Sequence, residues 1–204
     1  PIILSSGMSS FEELNKAYEF LKEKTNDVSI LHCVSQYPCK IENLNLNTIQ
    51  FLKEKFPNVK IGFSDHSLGI EGSLMAGYLG IKILEKHFTL NRNAWGADHK
   101  VSLEPYEMRE LIYKIKNREF IAPTQEALGI KDKYIQDGEL EFRNVFRKCL
   151  YASQNIKKGT IIEPDMLLAM RPMIEGARSS EEYPLLVGTI TTKNYKKGEI
   201  ILKK

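Results

Sequence analysis

The sequence predicts an α/β protein: the C-terminal half of a (β/α)8 TIM barrel, followed by a small β-rich domain. Three observations carry that prediction. Short apolar strands alternate with amphipathic helices four times over residues 1–118, the pattern of a parallel sheet covered by helices. Residues 119–145 are charged and weakly periodic, with Lys131-Asp132-Lys133 and Asp137-Gly138, and read as a linker. In residues 146–204 short strands and turns replace the helical spacing, and one turn signature occurs twice, Asn155-Ile-Lys-Lys-Gly159 and Asn194-Tyr-Lys-Lys-Gly198. Two copies are too few for a solenoid. They read as two turns of one β-rich domain, each glycine supplying a positive φ.

The elements follow in order. Residues 2–6 form a short strand. Ser9, with Glu12 three residues on, reads as a capping box, and Leu14, Ala17, Tyr18 and Leu21 follow at helical spacing. Residues 28–33 are the second strand. A loop containing Pro38 leads to a helix carrying Ile49, Leu52 and Phe56. The third strand starts at Val59, with a small-residue helix over about 70–79, and the fourth strand is 81–87. A last helix begins near Glu104, with Ser102 as its expected cap and Met108, Leu111, Ile112 and Ile115 as its core stripe. Four such units are half of an eight-stranded barrel, so four more strands are expected upstream. A half-barrel with open edges is expected to be unstable alone or to associate.

Composition narrows the function. The chain has 204 residues, 42% hydrophobic and 27% charged, as expected of a soluble globular protein. A net charge of +3 is no nucleic-acid footprint, and no apolar run reaches membrane-spanning length. Pro1-Ile-Ile-Leu lacks the features of a signal peptide and an initiator Met, and the chain is expected to be part of a longer one. Cys33, Cys39 and Cys149 are odd in number and form no C-x-x-C pair, which argues against disulfides and for a cytoplasmic location.

The chemistry is expected at the C-terminal ends of the strands. His66 and His87 close the third and fourth, and two imidazoles from successive strands can share one divalent metal. Strand alternation places Ser5, Ser35, Tyr37, Ser64, His66, Glu85 and His87 on the inward side, a polar rim with metal-binding capacity and hydroxyl donors for an anion. His32 falls on the opposite, packed face. His99 reads as a solvated loop residue and Cys33 as a small buried hydrophobe. The lysine pairs of the two turns read as solvated charges.

The ordered set of runs resembles the sialic acid synthase (NeuB) family: Ile3-Leu-Ser-Ser-Gly-Met8, Leu31-His-Cys-Val-Ser-Gln-Tyr-Pro38, Gly62-Phe-Ser-Asp-His66, Leu84-Glu-Lys-His-Phe88 and Gly96-Ala-Asp-His-Lys-Val-Ser-Leu-Glu-Pro105. Behind them Arg147-Lys-Cys-Leu-Tyr-Ala152, Met170-Arg-Pro172 and the Lys-Lys-Gly turns are similar to the small antifreeze-like (SAF, β-clip) domain that ends such enzymes. The resemblance implies condensation of phosphoenolpyruvate with an N-acylated amino sugar. It implies His66 and His87 as ligands of Mn²⁺ or Mg²⁺, and Glu85 as a carboxylate beside that metal. Ser5, Ser35 and Ser64 would bind phosphoenolpyruvate, and Tyr37 and Asp98 the sugar. Arg171 would be delivered by one subunit into its partner's barrel, which implies a domain-swapped homodimer. The family's phosphate-neutralising lysines come from the upstream half, so this segment alone is expected to be inactive.

Departures bear on the sugar rather than the reaction. Arg171-Pro-Met-Ile-Glu-Gly176 replaces a Gly-x-Gly turn, Arg178 competes for the arginine role, Ser35 stands where some members carry Asn, and Cys149 where Ser is frequent. Two further readings are a phosphoenolpyruvate-condensing synthase for another aldose and a non-catalytic carbohydrate-binding or scaffold module.

Overall fold

Four apolar runs pair in chain order into one parallel sheet: β1 (Ile2–Ser5), β2 (Val28–Cys33), β3 (Lys60–Asp65) and β4 (Leu84–Lys86). The computed structural model describes residues 1–203. Between the strands run α1 (Phe11–Lys22), α2 (Asn47–Lys55) and α3 (Glu71–Tyr78), with α4 (Pro105–Lys116) after β4. This is the predicted half-barrel order.

Register decides which side chains share a face. Ser5 pairs with Leu31, Leu31 with Gly62, Cys33 with Ser64, and Ser64 with Glu85. Paired residues of a parallel sheet point the same way, so these six occupy one face. The other face carries Ile30, Ile61 and Phe63, which pack with Leu14 of α1, Ile49 and Leu52 of α2, and Met75 and Ala76 of α3. Burial of a side chain such as Phe63 stabilises by about 2 kcal/mol. Small residues let α3 lie close: a Cβ on Gly72 would meet Ser67 Oγ at 2.6 Å, and one on Gly77 would meet the Phe120 ring at 2.5 Å.

Several sequence expectations shift. The capping box of α1 is Ser10 with Glu13, one residue later than expected. The cap of α4 is Glu104 with Glu107, and Pro105 takes the first helical position. Ser102 instead donates to Asp98 O. The fourth strand shortens to β4, Leu84–Lys86.

Residues 119–145 are not a free linker. They include α5 (Gln125–Leu128) and the start of α6 (Asp137–Phe146). Ala127 is buried in the main core, Leu46 N–H donates to Ala127 O, and Thr48 Oγ1 donates to Asp132 O at 2.6 Å. The first compact unit therefore extends to Glu139 and the second begins at Leu140, rather than at 118 and 146. Charge masked this docking in the sequence, because the strap is fixed mainly by backbone groups.

In the second unit β5 (Cys149–Ala152) pairs antiparallel with β6 (Leu167–Met170), and a short helix α7 (Tyr183–Leu186) follows. Leu150, Ala152, Ile156, Ile162, Leu167 and Ile201 form its core. Gly159 and Gly198 adopt φ of 87° and 80°, as expected of the two turns. The turns brace each other. Asn194 Oδ1 accepts from Lys158 N–H at 2.7 Å, and Asn155 Oδ1 accepts from Lys197 N–H at 2.9 Å.

Candidate active site

His66 and His87 stand one residue beyond β3 and β4, and their ring centroids are 5.2 Å apart. His66 Nδ1 lies 2.9 Å from Val34 O. A carbonyl only accepts, so Nδ1 carries a hydrogen, and Nε2 is the ring nitrogen left to face a ligand. A backbone carbonyl fixing one imidazole nitrogen is the usual support of a metal-ligating histidine. Burial first, then the neighbouring His66, lowers the pKa of His87 against the opposing charges of Asp98 and Glu85. A neutral ring is the form that ligates. Among the described residues no group of three or more His, Cys, Asp and Glu has the geometry of a metal site, so the pair must be judged as a two-ligand seat.

Around the pair lie most of the predicted residues. Tyr37 packs on both rings, at 4.2 Å from His66 and 6.0 Å from His87 between centroids. Burial pushes its phenol to about 12, which keeps it a neutral donor. Glu85, exposed on its strand, accepts from Ser64 Oγ at 2.6 Å. Ser64, Glu85, Lys86 and His87 line an open concavity of about 300 Å³. Cys33 is 3% exposed, as expected of a buried thiol, and burial raises its pKa. The nearby hydroxyls of Ser5, Ser35 and Ser64 oppose that rise. Ser35 Oγ lies 3.8 Å from that sulfur. While Ser64 donates to Glu85, it cannot give the same proton to an anion.

Asp98 begins an exposed 3₁₀ turn, and its charge reaches Tyr37 and His87. His99 is not simply solvated: it is half-buried, with Nδ1 2.7 Å from Thr89 Oγ1. His32 is packed on the far face, stacked on Phe63, with Nε2 donating to Leu44 O at 2.7 Å. Arg171 belongs to the second unit. It is exposed, and its guanidinium lies 5.1 Å over the Phe146 ring. Arg178 is instead paired with Glu182 at 2.7 Å.

Two sets of residues escaped the sequence reading. Behind the histidines, on the helix-covered face, Lys86 Nζ meets Asp65 Oδ2 at 2.9 Å, their side chains 2% and 0% exposed. Asp65 also accepts from Ser67 N–H, Ser67 Oγ and Ser73 Oγ, and Lys86 donates to Ser67 O. Strand alternation could have flagged two opposite charges beside each other on a buried face. The second is Glu139, 1% exposed. Its Oε1 accepts from Met8 N–H and Ser35 N–H, both at 2.9 Å, and its Oε2 from Gln136 N–H at 3.1 Å. Nothing in the run Glu139-Leu-Glu141 marks it out from its neighbour.

Comparison with known proteins gives two family matches: a model described as the NeuB family over residues 1–126, and one described as the SAF domain over residues 147–204. An N,N'-diacetyllegionaminic acid synthase of Campylobacter jejuni is 39% identical over 203 residues, covering 98% of this chain and 58% of that protein. A pseudaminic acid synthase of the same species is 37% identical, covering 98% of this chain and 56% of that protein. Among solved structures, the Bacillus subtilis spore coat polysaccharide biosynthesis protein spsE superposes with a TM-score of 0.85 at 30% identity, covering all of this chain and 62% of that one. The chain thus spans somewhat over half the length of these curated relatives. Among the described residues no helix is long and apolar enough to cross a membrane.

Proposed function

The chain belongs to the NeuB family, and from that premise we propose that it supplies the C-terminal part of a nonulosonic-acid (sialic-acid-type) synthase. The reaction condenses phosphoenolpyruvate with an N-acylated amino sugar, giving a nine-carbon 2-keto acid and phosphate. The observation that carries this reading is the convergence of His66, His87, Glu85, Tyr37 and three serines at the C-terminal ends of neighbouring strands.

In this proposal His66 and His87 hold a divalent cation, Mn²⁺ or Mg²⁺. The free Nε2 of His66 and the lowered pKa of His87 fit that role. When bound, the cation makes the sugar aldehyde more electrophilic as a Lewis acid. The protein's side chains do the rest. Ser5 and Ser35 orient the phosphoenolpyruvate anion, while Tyr37 and Asp98 bind the sugar. C3 of phosphoenolpyruvate bonds to the aldehyde carbon as the carbonyl π electrons move to its oxygen, which takes up a proton. Water adds at the cationic C2 and releases a proton. The C2–O bond to phosphate then breaks as C2=O forms, and the hydroxyl proton leaves with the phosphate. Glu85 holds the proton released by that water, and as it becomes protonated Ser64 can turn its own proton to the substrate. Arg171 contacts the N-acyl group of sugar bound in the partner's barrel, which makes the working form a domain-swapped homodimer. The buried free thiols Cys33, Cys39 and Cys149 suit a reducing cytoplasm.

The test is Mn²⁺ binding, followed by electron paramagnetic resonance, in the complete natural protein. His66→Ala and His87→Ala are each expected to weaken binding more than about tenfold. Binding that survives both changes together would falsify the ligand assignment.

A further inference from the structure

Glu139 lies at the start of α6, in the stretch the sequence presents as connecting chain, yet its carboxylate is buried beside the strand ends. Its Oε1 gathers two N–H groups that belong to different loops. Ser35 N–H comes from the loop after β2, and Met8 N–H from the turn after β1. These loops are in intimate contact: a Cβ on Gly7 would sit 2.2 Å from Ser35 Oγ and 2.9 Å from Cys33 Sγ. Met8 has a φ of 53°, a left-handed conformation that non-glycine residues adopt only when something holds them there. Ser35 itself is 3% exposed, so its N–H has little access to water as an alternative partner.

We infer that Glu139 is a positioning residue, which sets the Ser35 hydroxyl for the phosphoenolpyruvate anion by clamping the loop that carries it against the turn that follows Ser5 at the end of β1. The inference rests on the reading of Ser35 as a substrate contact. The clamp needs an acceptor oxygen and not a charge. Gln at this position keeps Oε1 for both N–H groups, and its Nε2 then faces only Gln136 N–H, so a single bond is lost. Ala removes the acceptor and leaves two N–H groups from two loops to be re-satisfied by rearrangement.

The experiment measures KM for both substrates, kcat and melting temperature in the complete natural protein. Its variants are Glu139→Ala, Glu139→Gln and Ser35→Ala. Glu139→Ala is expected to raise the KM for phosphoenolpyruvate about tenfold, the scale of a small misplacement at a binding group, with the sugar KM little changed. Glu139→Gln is expected to restore most of the loss. If Glu139→Ala fails to fold, Glu139→Asp replaces it: the charge stays while the oxygens retreat by one methylene, and the same selective rise is expected. A fall in melting temperature with both KM values unchanged overturns the inference, because a purely structural clamp would behave that way. So does a Gln variant as impaired as Ala. If Ser35→Ala leaves the KM for phosphoenolpyruvate unchanged, the reading of Ser35 fails and the inference goes with it. If Ser35→Ala raises it while Glu139→Ala and Glu139→Asp do not, only the inference fails.

Discussion

His32 shows how one buried side chain links pH to stability. Its Nε2 donates to Leu44 O, while Nδ1 is buried with no partner among the described residues. Burial lowers its pKa from 6.5 to about 4. The unfolded chain therefore takes up a proton before the folded one does. The stability contributed by the neutral ring is complete above about pH 6.5 and is lost as pH falls toward 4, by about 3 kcal/mol in all. Urea unfolding at pH 7.5, 5.5 and 4.5, compared between the parent and His32→Gln, is expected to show a steeper loss in the parent. Parallel curves would remove His32 as the cause. Strand parity was enough to predict this residue, because alternation alone sends it to the packed face. His99 was not predictable in the same way. Its partner Thr89 lies ten residues upstream, across a loop whose path no periodicity describes.

At the scale of elements, the strands were legible and their ends were not. Ser9/Glu12 and Ser10/Glu13 are equivalent capping boxes in sequence. Contacts outside the helix choose between them: Ser9 Oγ donates to Ser6 O, which turns the side chain toward the preceding turn, and Ser9 O accepts from Lys133 Nζ. The same reasoning applies to β3 and β4, whose ends are fixed by the Asp65–Lys86 pair. Each charged residue immediately precedes a histidine, so alternation aims Asp65 and Lys86 at the helices and the imidazoles at the rim. Removing one partner strands a buried charge. Asp65→Asn and Lys86→Met are each expected to cost about 3–5 kcal/mol, and the double variant less than their sum. Chemical denaturation of all four proteins closes the cycle, and strictly additive losses would mean the two side chains are not coupled.

For the molecule as a whole, composition and turn chemistry foretold a second unit: its matched domain starts one residue after the expected border, while the compact unit begins a few residues earlier, inside α6. The second unit has its own core and its own ladder of bridges. Residues 140–204 expressed alone are expected to unfold in one cooperative urea transition. Asn155→Ala and Asn194→Ala should each lower stability by about 1 kcal/mol. A gradual, non-cooperative melt of the isolated unit would contradict this. The paired turns also carry a consequence for biosynthesis. The amide of Lys158 leaves the ribosome well before the asparagine that completes its turn, and Asn155 waits just as long for Lys197. This region cannot assemble piece by piece as it emerges, and closes only once the chain is free as far as Lys197.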